Sequence, residues 1–153
     1  MRMLDVLEKI AKEFNKNNVK WAVGASLLLY FYNIVEKPND IDLIIDSKDE
    51  DIVCEIMNKL GNEQSVESVR KYKTGVFHKF YIKEIEVDII GDFNILVNDK
   101  YYLHPFPNST GKSILINETK IYLDSLSNWL DTYIAMGDPK NRVKLIKKFL
   151  NNR

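Results

Sequence analysis

The chain has 153 residues, of which 45% are hydrophobic and 29% are charged. This balance is typical of a globular domain and excludes an intrinsically disordered chain. Its 22 basic and 22 acidic residues give a formal net charge of zero, so it lacks the strong positive field that favours non-specific binding to nucleic acid or anionic membranes. The single cysteine, Cys54, excludes an intramolecular disulfide framework.

The sequence also predicts where the protein resides. Its N-terminal segment is amphipathic and charged, unlike a secretory signal, and its most apolar stretch, residues 21–35, is shorter than the roughly 18–20 residues that span a bilayer. A lone thiol suits a reducing compartment. No repeat or linker divides the chain, so we expect one cytoplasmic domain over residues 1–153 without membrane contact.

The first half of the chain alternates helical and extended patterns. The predicted elements are, in chain order, helix 3–16, strand 19–23, helix 25–33, strand 40–46 and helix 49–60. The first strand is expected to stop at Gly24, and Gly61 is expected to form the C-cap of the third helix.

The second half is first rich in β-branched and aromatic residues and then helical. Strands are predicted at 66–72, 76–83, 85–90, near 95–103, at 113–116 and at 119–123. Lys83-Glu84 and Asn117-Glu118 are the expected tight connections. A stripe over 126–134 predicts a helix, and Asp138-Pro139 predicts the start of the next. We therefore expect an α+β fold, with a mixed or antiparallel sheet flanked by helices and a C-terminal helical hairpin over 124–153.

The segment Asp40-Ile41-Asp42-Leu43 is the first candidate functional motif. On a strand, the spacing places both aspartates on one face while the apolar residues face the core. Two carboxylates this close repel each other unless a cation lies between them or solvent screens them. Mg²⁺ prefers carboxylate oxygens and completes its shell with water and phosphate. The motif can therefore hold a metal-bound triphosphate, although solvated Asp-x-Asp pairs also occur by chance.

Two further segments strengthen this interpretation. Asp88 lies in Glu86-Val87-Asp88 on a later predicted strand, and it would join the first two acids if the strands are neighbours. Gly24-Ala25-Ser26 joins a strand to a helix, where a glycine allows a phosphate to approach the backbone. Simpler interpretations remain open: a solvated carboxylate or one paired with a lysine such as Lys83, and a plain turn with a capping serine.

Together these three segments resemble the signature elements of the DNA polymerase beta-like nucleotidyltransferase superfamily. The most similar group is that of small bacterial enzymes, which includes aminoglycoside and lincosamide nucleotidyltransferases and abortive-infection nucleotidyltransferase toxins. The pattern from Leu123 to Lys140 also resembles the C-terminal helical hairpin of that group. Two positions depart from the family pattern. Ala25 replaces the second glycine or serine of the turn, and Lys37 is the nearest candidate for a basic residue that often precedes the Asp-x-Asp motif.

The resemblance implies transfer of a nucleoside monophosphate from an NTP, such as ATP, to an acceptor hydroxyl with release of pyrophosphate. Asp40 and Asp42 would hold the Mg²⁺ on the triphosphate, and Asp88 would help to hold a second Mg²⁺ and accept the acceptor's proton. The residues expected to contact the nucleotide are Gly24, Ala25, Ser26 and Lys37.

The sequence leaves the acceptor open among a small molecule, a protein and an RNA. The acceptor site would be built by the C-terminal hairpin, by a second subunit in a homodimer, or by a partner. The alternative function is a catalytically inactive binding or regulatory module with the same fold. His78 and His104 are interpreted as ordinary strand or loop histidines, and Asp92 as a second option for the base.

Overall fold

The structure, a computed structural model, describes residues 2–65, 75–106 and 112–152. Its helices and strands are, in chain order, α1 (Arg2–Lys16), β1 (Trp21–Gly24), α2 (Ala25–Phe31), β2 (Ile41–Ile45), α3 (Glu50–Leu60), β3 (Asn62–Gln64), β4 (Val76–Ile82), β5 (Ile85–Gly91), β6 (Asn94–Val97), β7 (Lys100–Leu103), β8 (Ser113–Ile116), β9 (Thr119–Tyr122), α4 (Leu126–Ala135) and α5 (Val143–Asn151). A single 3₁₀ turn, Ser47–Asp49, leads into α3.

The main sheet has five strands in the order β1-β2-β5-β4-β3. Strands β2 and β5 are parallel, whereas the other neighbouring strands in this sheet are antiparallel. Two further hairpins, β6–β7 and β8–β9, lie outside this sheet. The prediction of an α+β fold with a mixed sheet is therefore confirmed.

The core forms where alternate side chains of the strands meet the apolar stripes of the helices. Ile41, Leu43 and Ile45 of β2 are each at most 1% exposed, as their two-residue spacing predicts. Leu7 and Phe14 of α1 are fully buried in the same core cluster. This packing anchors one face of β2 and leaves its alternate residues to form the candidate site on the other face.

The two predicted tight turns are confirmed by their backbone angles. Lys83 and Glu84 have φ of 49° and 69°, and Asn117 and Glu118 have φ of 48° and 71°. Positive φ at both central residues is the feature of type I′ turns, whose twist matches that of paired strands. Each turn therefore joins its two strands directly, although neither contains glycine.

Several boundaries differ from the predictions. The last helix begins at Val143 and not at Pro139, because Asn141 adopts a left-handed conformation with φ of 56° and interrupts the helix. The N-cap residue is Arg142 and not Asp138 as predicted, although Asp138 Oδ1 accepts hydrogen bonds from the backbone N–H groups of Arg142 (2.7 Å) and Val143 (3.2 Å). Strand β3 was not predicted, and the predicted strand at 66–72 lies outside the described residues.

Gly61 is the C-cap of α3, as predicted, but its backbone is extended and not left-handed. A Cβ at this position would lie 2.4 Å from the carbonyl oxygen of Tyr81. Close contact with β4 therefore explains this glycine. Among the described helices, none combines the length and the apolar character needed to cross a bilayer.

Candidate functional site

Strand register assembles the candidate site. Asp42 of β2 pairs with Asp88 of the parallel strand β5. Gly24 of β1 lies opposite Asp42 on one side, and Lys79 of β4 lies opposite Asp88 on the other. These four residues form one row across four strands, because residues in register are neighbours on the same face of a sheet. The structure thus brings together Asp42 and Asp88, which are 46 positions apart in the chain.

A second pair of acids completes the site. Two positions before Asp42 lies Asp40, which immediately precedes β2, and two positions before Asp88 on β5 lies Glu86, on the same face as Asp88. Carboxylate oxygens of Asp40, Glu86 and Asp88 all lie within 4.8 Å of one another. We call the four residues Asp40, Asp42, Glu86 and Asp88 the acid square. Glu86 was not predicted as a site residue, although its two-residue spacing from Asp88 repeats that of Asp40 and Asp42.

The acid square is electrostatically costly without a cation. Asp88 is only 8% exposed, and among the described residues its Oδ1 has no hydrogen-bond partner. Burial and the charge of Glu86 raise the pKa of Asp88 to about 7. Burial and the charges of Asp88 and Asp40 raise the pKa of Asp42 well above its usual value. Four carboxylates with an unpaired buried oxygen fit the preference of a hard divalent cation such as Mg²⁺.

Two side chains from β4 hold the outer edge of the acid square. Lys79 Nζ lies 2.9 Å from Glu86 Oε2 and 3.8 Å from Asp88 Oδ1. The Tyr81 hydroxyl donates to Glu86 Oε1 at 3.1 Å. Although burial opposes ionisation, these contacts hold the pKa of Glu86 below its usual value. Glu86 is therefore paired with both a lysine and a hydroxyl, and Asp88 shares the same lysine at a longer distance.

The raised pKa values predict a stability that depends on pH and metal. Because the pKa of Asp88 rises from 3.8 in the unfolded chain to about 7, the folded state binds more protons, and its stability falls as pH rises from about 4 to 7. We expect the melting temperature of the metal-free protein to fall by roughly 5 °C over this range, and excess Mg²⁺ to restore most of the loss at the upper end.

Circular dichroism melts with and without Mg²⁺ measure this effect. His78 needs a control, because contacts to Glu50 (2.8 Å) and Glu63 (2.9 Å) outweigh its burial and raise its pKa. This histidine also contributes stability that is lost as pH rises. In the variant His78→Gln, the melting temperature should still fall as pH rises, and Mg²⁺ should still reverse the part of this fall that comes from the acid square. A pH effect that Mg²⁺ does not change in either protein would contradict the assignment to the acid square.

Gly24 and Ala25 occupy unusual surroundings. A Cβ at Gly24 would lie 2.6 Å from Cζ2 of Trp129, so the absence of a side chain allows the indole of α4 to pack against β1. Ala25 has φ of 51°, in the left-handed region that costs a residue with a side chain about 1–2 kcal/mol. The alanine that departs from the family pattern is therefore strained where glycine would not be.

Ser26 and Lys37 flank the approach to Asp40. Ser26 is 2% exposed, and its Oγ accepts a hydrogen bond of 2.8 Å from the backbone N–H of Asn39. This bond ties α2 to the residue that precedes Asp40, so Ser26 helps to position that carboxylate. Lys37 is exposed in the same loop. Contact of these residues, and of Gly24 and Ala25, with a nucleotide remains a prediction.

The C-terminal helices border the acid square. The charge of Lys140, between α4 and α5, partly offsets the rise that burial and Glu86 cause in the pKa of Asp40. The charge of Asp42 in turn acts on Tyr133 of α4, whose hydroxyl accepts a hydrogen bond of 3.3 Å from Arg142. Both cations lie in the segment that the sequence assigns to the C-terminal hairpin.

A buried network fixes α4 beside the site, and the sequence did not predict it. His104 Nε2 lies 2.7 Å from Asp124 Oδ2, and Trp129 Nε1 donates to the same oxygen at 2.8 Å. His104 also contacts the hydroxyl of Thr132 on α4. Because Trp129 packs on Gly24, this network holds the helix against the strand next to Asp42.

Asp92, the second option for the base, lies away from the acid square. It is four residues beyond Asp88, a distance of roughly 13 Å along an extended chain. It lines a separate cavity of about 150 Å³ at the far ends of β2 and β5, together with Ile45, Asp46, His104 and Phe106. The structure therefore separates Asp92 from the acid square.

Comparison with known proteins identifies the fold. No family model matches the chain, and no curated protein matches its sequence. A structure from Thermotoga maritima that is assigned as a nucleotidyltransferase does match, with a TM-score of 0.74, 24% identity and coverage of 98% of this chain and 93% of that one. The antibiotic-resistance factor ANT(2″)-Ia bound to adenylyl-2″-tobramycin matches with a TM-score of 0.67, 14% identity and coverage of 99% and 90%.

A solution structure of ANT(2″)-Ia agrees, with a TM-score of 0.63, 13% identity and coverage of 97% of this chain and 82% of that one. The likeness extends over almost the whole chain, including the strands that carry the acid square and the C-terminal helices. This chain therefore has the nucleotidyltransferase fold, and within it an acidic group that can hold a metal ion.

Proposed function

We propose that the chain is a magnesium-dependent nucleotidyltransferase, which moves a nucleoside monophosphate from an NTP to an acceptor hydroxyl and releases pyrophosphate. The acid square carries the proposal, because four carboxylates on one sheet face favour a bound cation. The fold supports it, since the similar solved structures include ANT(2″)-Ia with an adenylylated antibiotic.

Each acid has a different role in the proposed reaction. Bound Mg²⁺ would neutralise the triphosphate and polarise the phosphate under attack. Asp40, which immediately precedes β2, and Asp42, the second residue of that strand, would hold it. In the transfer, the acceptor oxygen bonds to the α-phosphorus, the bond to the bridging oxygen breaks, and pyrophosphate leaves with that electron pair. Asp88 accepts the acceptor's proton, and the resemblance implies a second cation beside it.

The surroundings of the acid square favour a negatively charged substrate. Lys140 acts on Asp40 from the C-terminal segment, where a cation can meet phosphate oxygens as they bind. The exposed Lys37, in the loop before β2, is a further candidate for contact with the phosphates. We infer a cytoplasmic protein of one domain over residues 1–153, acting on a small molecule, protein or RNA as acceptor, with a homodimer as one way to complete the acceptor site.

A pyrophosphate assay tests the activity. We expect the protein with Mg²⁺ to release pyrophosphate from at least one NTP when pools of small molecules, proteins or RNA are supplied as acceptors. The variant Asp40→Ala should lose at least roughly 10²-fold of this rate, because it removes a proposed ligand of the triphosphate-bound ion. The matched control Asp51→Ala changes an exposed acid of α3 and should keep the full rate.

The alternative is a module that binds nucleotide without transferring it. Ala25 favours this alternative, because its strained left-handed backbone lies at the turn where the family pattern has glycine or serine. The same assay decides between the two: an NTP that binds with Mg²⁺ but yields no pyrophosphate with any acceptor pool supports the module. Release that Asp40→Ala abolishes rules the module out.

A further inference from the structure

A lysine of the chain, Lys79, lies at the edge of the acid square. Lys79 lies opposite Asp88 in the β4–β5 register, so its side chain is on the same face as the four acids. Its Nζ is 2.9 Å from Glu86 Oε2 and 3.8 Å from Asp88 Oδ1. The Lys79 side chain is only 26% exposed, which limits its exchange of these contacts for water.

This ammonium lies beside a group of described acids that could together hold a metal ion. The acids whose oxygens lie within 4.8 Å of one another are Asp40, Glu86 and Asp88. Lys79 already contacts two of the three. A divalent ion placed among these oxygens would lie beside the ammonium, and two cations at such a distance in a partly buried site repel strongly.

Glu86 is also unavailable as a ligand. Its Oε1 accepts from the Tyr81 hydroxyl at 3.1 Å, while its Oε2 accepts from Lys79. A metal ion would have to displace one of these two bonds. Among the described residues, no hydrogen bond or ion pair joins Asp40 or Asp42 to a side chain of β4. Oδ1 of Asp88, which lies 3.8 Å from Lys79 Nζ, has no hydrogen-bond partner among them.

We propose that the ammonium of Lys79 serves as the second cation of the acid square, so that the protein binds one divalent ion per chain together with NTP. This inference rests on the proposed function. The family resemblance implies two divalent ions, and the inference replaces one of them with the ammonium of Lys79. Lys79 neutralises Glu86 and Oδ1 of Asp88, and the single divalent ion is bound by Asp40, Asp42 and Asp88.

Counting bound Mn²⁺ tests the inference without measuring activity. Mn²⁺ replaces Mg²⁺ and is titrated by electron paramagnetic resonance, with and without a non-hydrolysable NTP analogue. We expect one bound Mn²⁺ per wild-type chain in the presence of the analogue and two per chain in Lys79→Met. The variant Lys79→Gln, which also removes the charge, should match Lys79→Met and replaces it if that protein does not fold. The control Lys100→Met changes an exposed lysine of β7 and should bind one ion.

The outcomes separate this inference from the proposed function. Two ions in the wild-type protein, or one ion in both Lys79 variants, would overturn the inference while leaving the metal-dependent enzyme intact. Absence of any NTP-dependent Mn²⁺ binding in the wild-type protein would refute the proposed function as well. A gain of a second ion in the Lys79 variants, but not in Lys100→Met, supports the lysine as an internal cation.

Discussion

Replacing Asp42 with asparagine is expected to abolish Mg²⁺-dependent NTP binding and to lower the transfer rate by at least roughly 10³-fold. Asp42 lies at the centre of the row that joins β1, β2 and β5, between Gly24 and Asp88. Asparagine keeps the size of the side chain but removes the charge that is proposed to bind the cation. Isothermal calorimetry with Mg²⁺ and a non-hydrolysable NTP analogue measures the loss.

The same substitution should stabilise the metal-free protein. Burial and the charges of Asp88 and Asp40 raise the pKa of Asp42, so the ionised side chain is unfavourable in the folded state. Removing the charge should raise the melting temperature above neutral pH, by on the order of a few degrees. A variant that is more stable and yet unable to bind NTP cannot owe its loss of binding to misfolding. The control Asp131→Asn, on an exposed position of α4, should change neither property. Unchanged NTP affinity in Asp42→Asn would remove the basis of the metal site.

Much of the site was predictable because strands repeat every two residues. Asp40 and Asp42 alternate with Ile41 and Leu43, and the buried positions of the two apolar residues determine where the acids point. Asp88 follows the same rule on β5. Each predicted acid therefore depends on a local pattern, which a single sequence contains in full.

The remaining features depend on contacts between distant segments. The sequence does not specify that β2 and β5 are adjacent and parallel, yet this pairing is what brings Asp42 to Asp88. Lys79 reaches Glu86 only because β4 lies on the other side of β5. The left-handed Ala25 and the extended Gly61 likewise follow from the packing around them. Local patterns thus predicted the acids, whereas tertiary packing determines their partners.

The buried network around Asp124 is the clearest case of such a contact. Asp124 is 2% exposed and accepts three hydrogen bonds, from His104 Nε2 (2.7 Å), Trp129 Nε1 (2.8 Å) and the backbone N–H of Ser125 (2.6 Å). Because a carboxylate accepts hydrogen bonds, His104 donates to Asp124 from Nε2, while its Nδ1 contacts the hydroxyl of Thr132. The network joins the end of β7 to α4.

The variant Asp124→Ala should therefore lower the free energy of unfolding by about 3–5 kcal/mol, because it leaves buried donors without an acceptor. Asp124→Asn keeps one carbonyl oxygen, which can still accept from both His104 and Trp129, so its cost should be nearer to 1–2 kcal/mol. Urea denaturation followed by tryptophan fluorescence measures both. Equal costs for the two variants would show that the shared oxygen is not what matters.

The network also predicts that substitutions near this site can change the stability of the protein and its NTP affinity independently. Trp129 fills the space beside Gly24 of β1, and Gly24 is the register partner of Asp42 on β2. The network therefore supports the strand next to the proposed metal ligand without contacting the acid square. Asp124→Asn should consequently retain NTP affinity within about threefold under conditions where it is folded, whereas Asp42→Asn loses affinity while gaining stability. These opposite effects follow from one physical difference. Asp124 is a buried acid that accepts hydrogen bonds from groups of the chain itself, whereas Asp42 is a buried acid whose proposed partner is a cation from outside the chain.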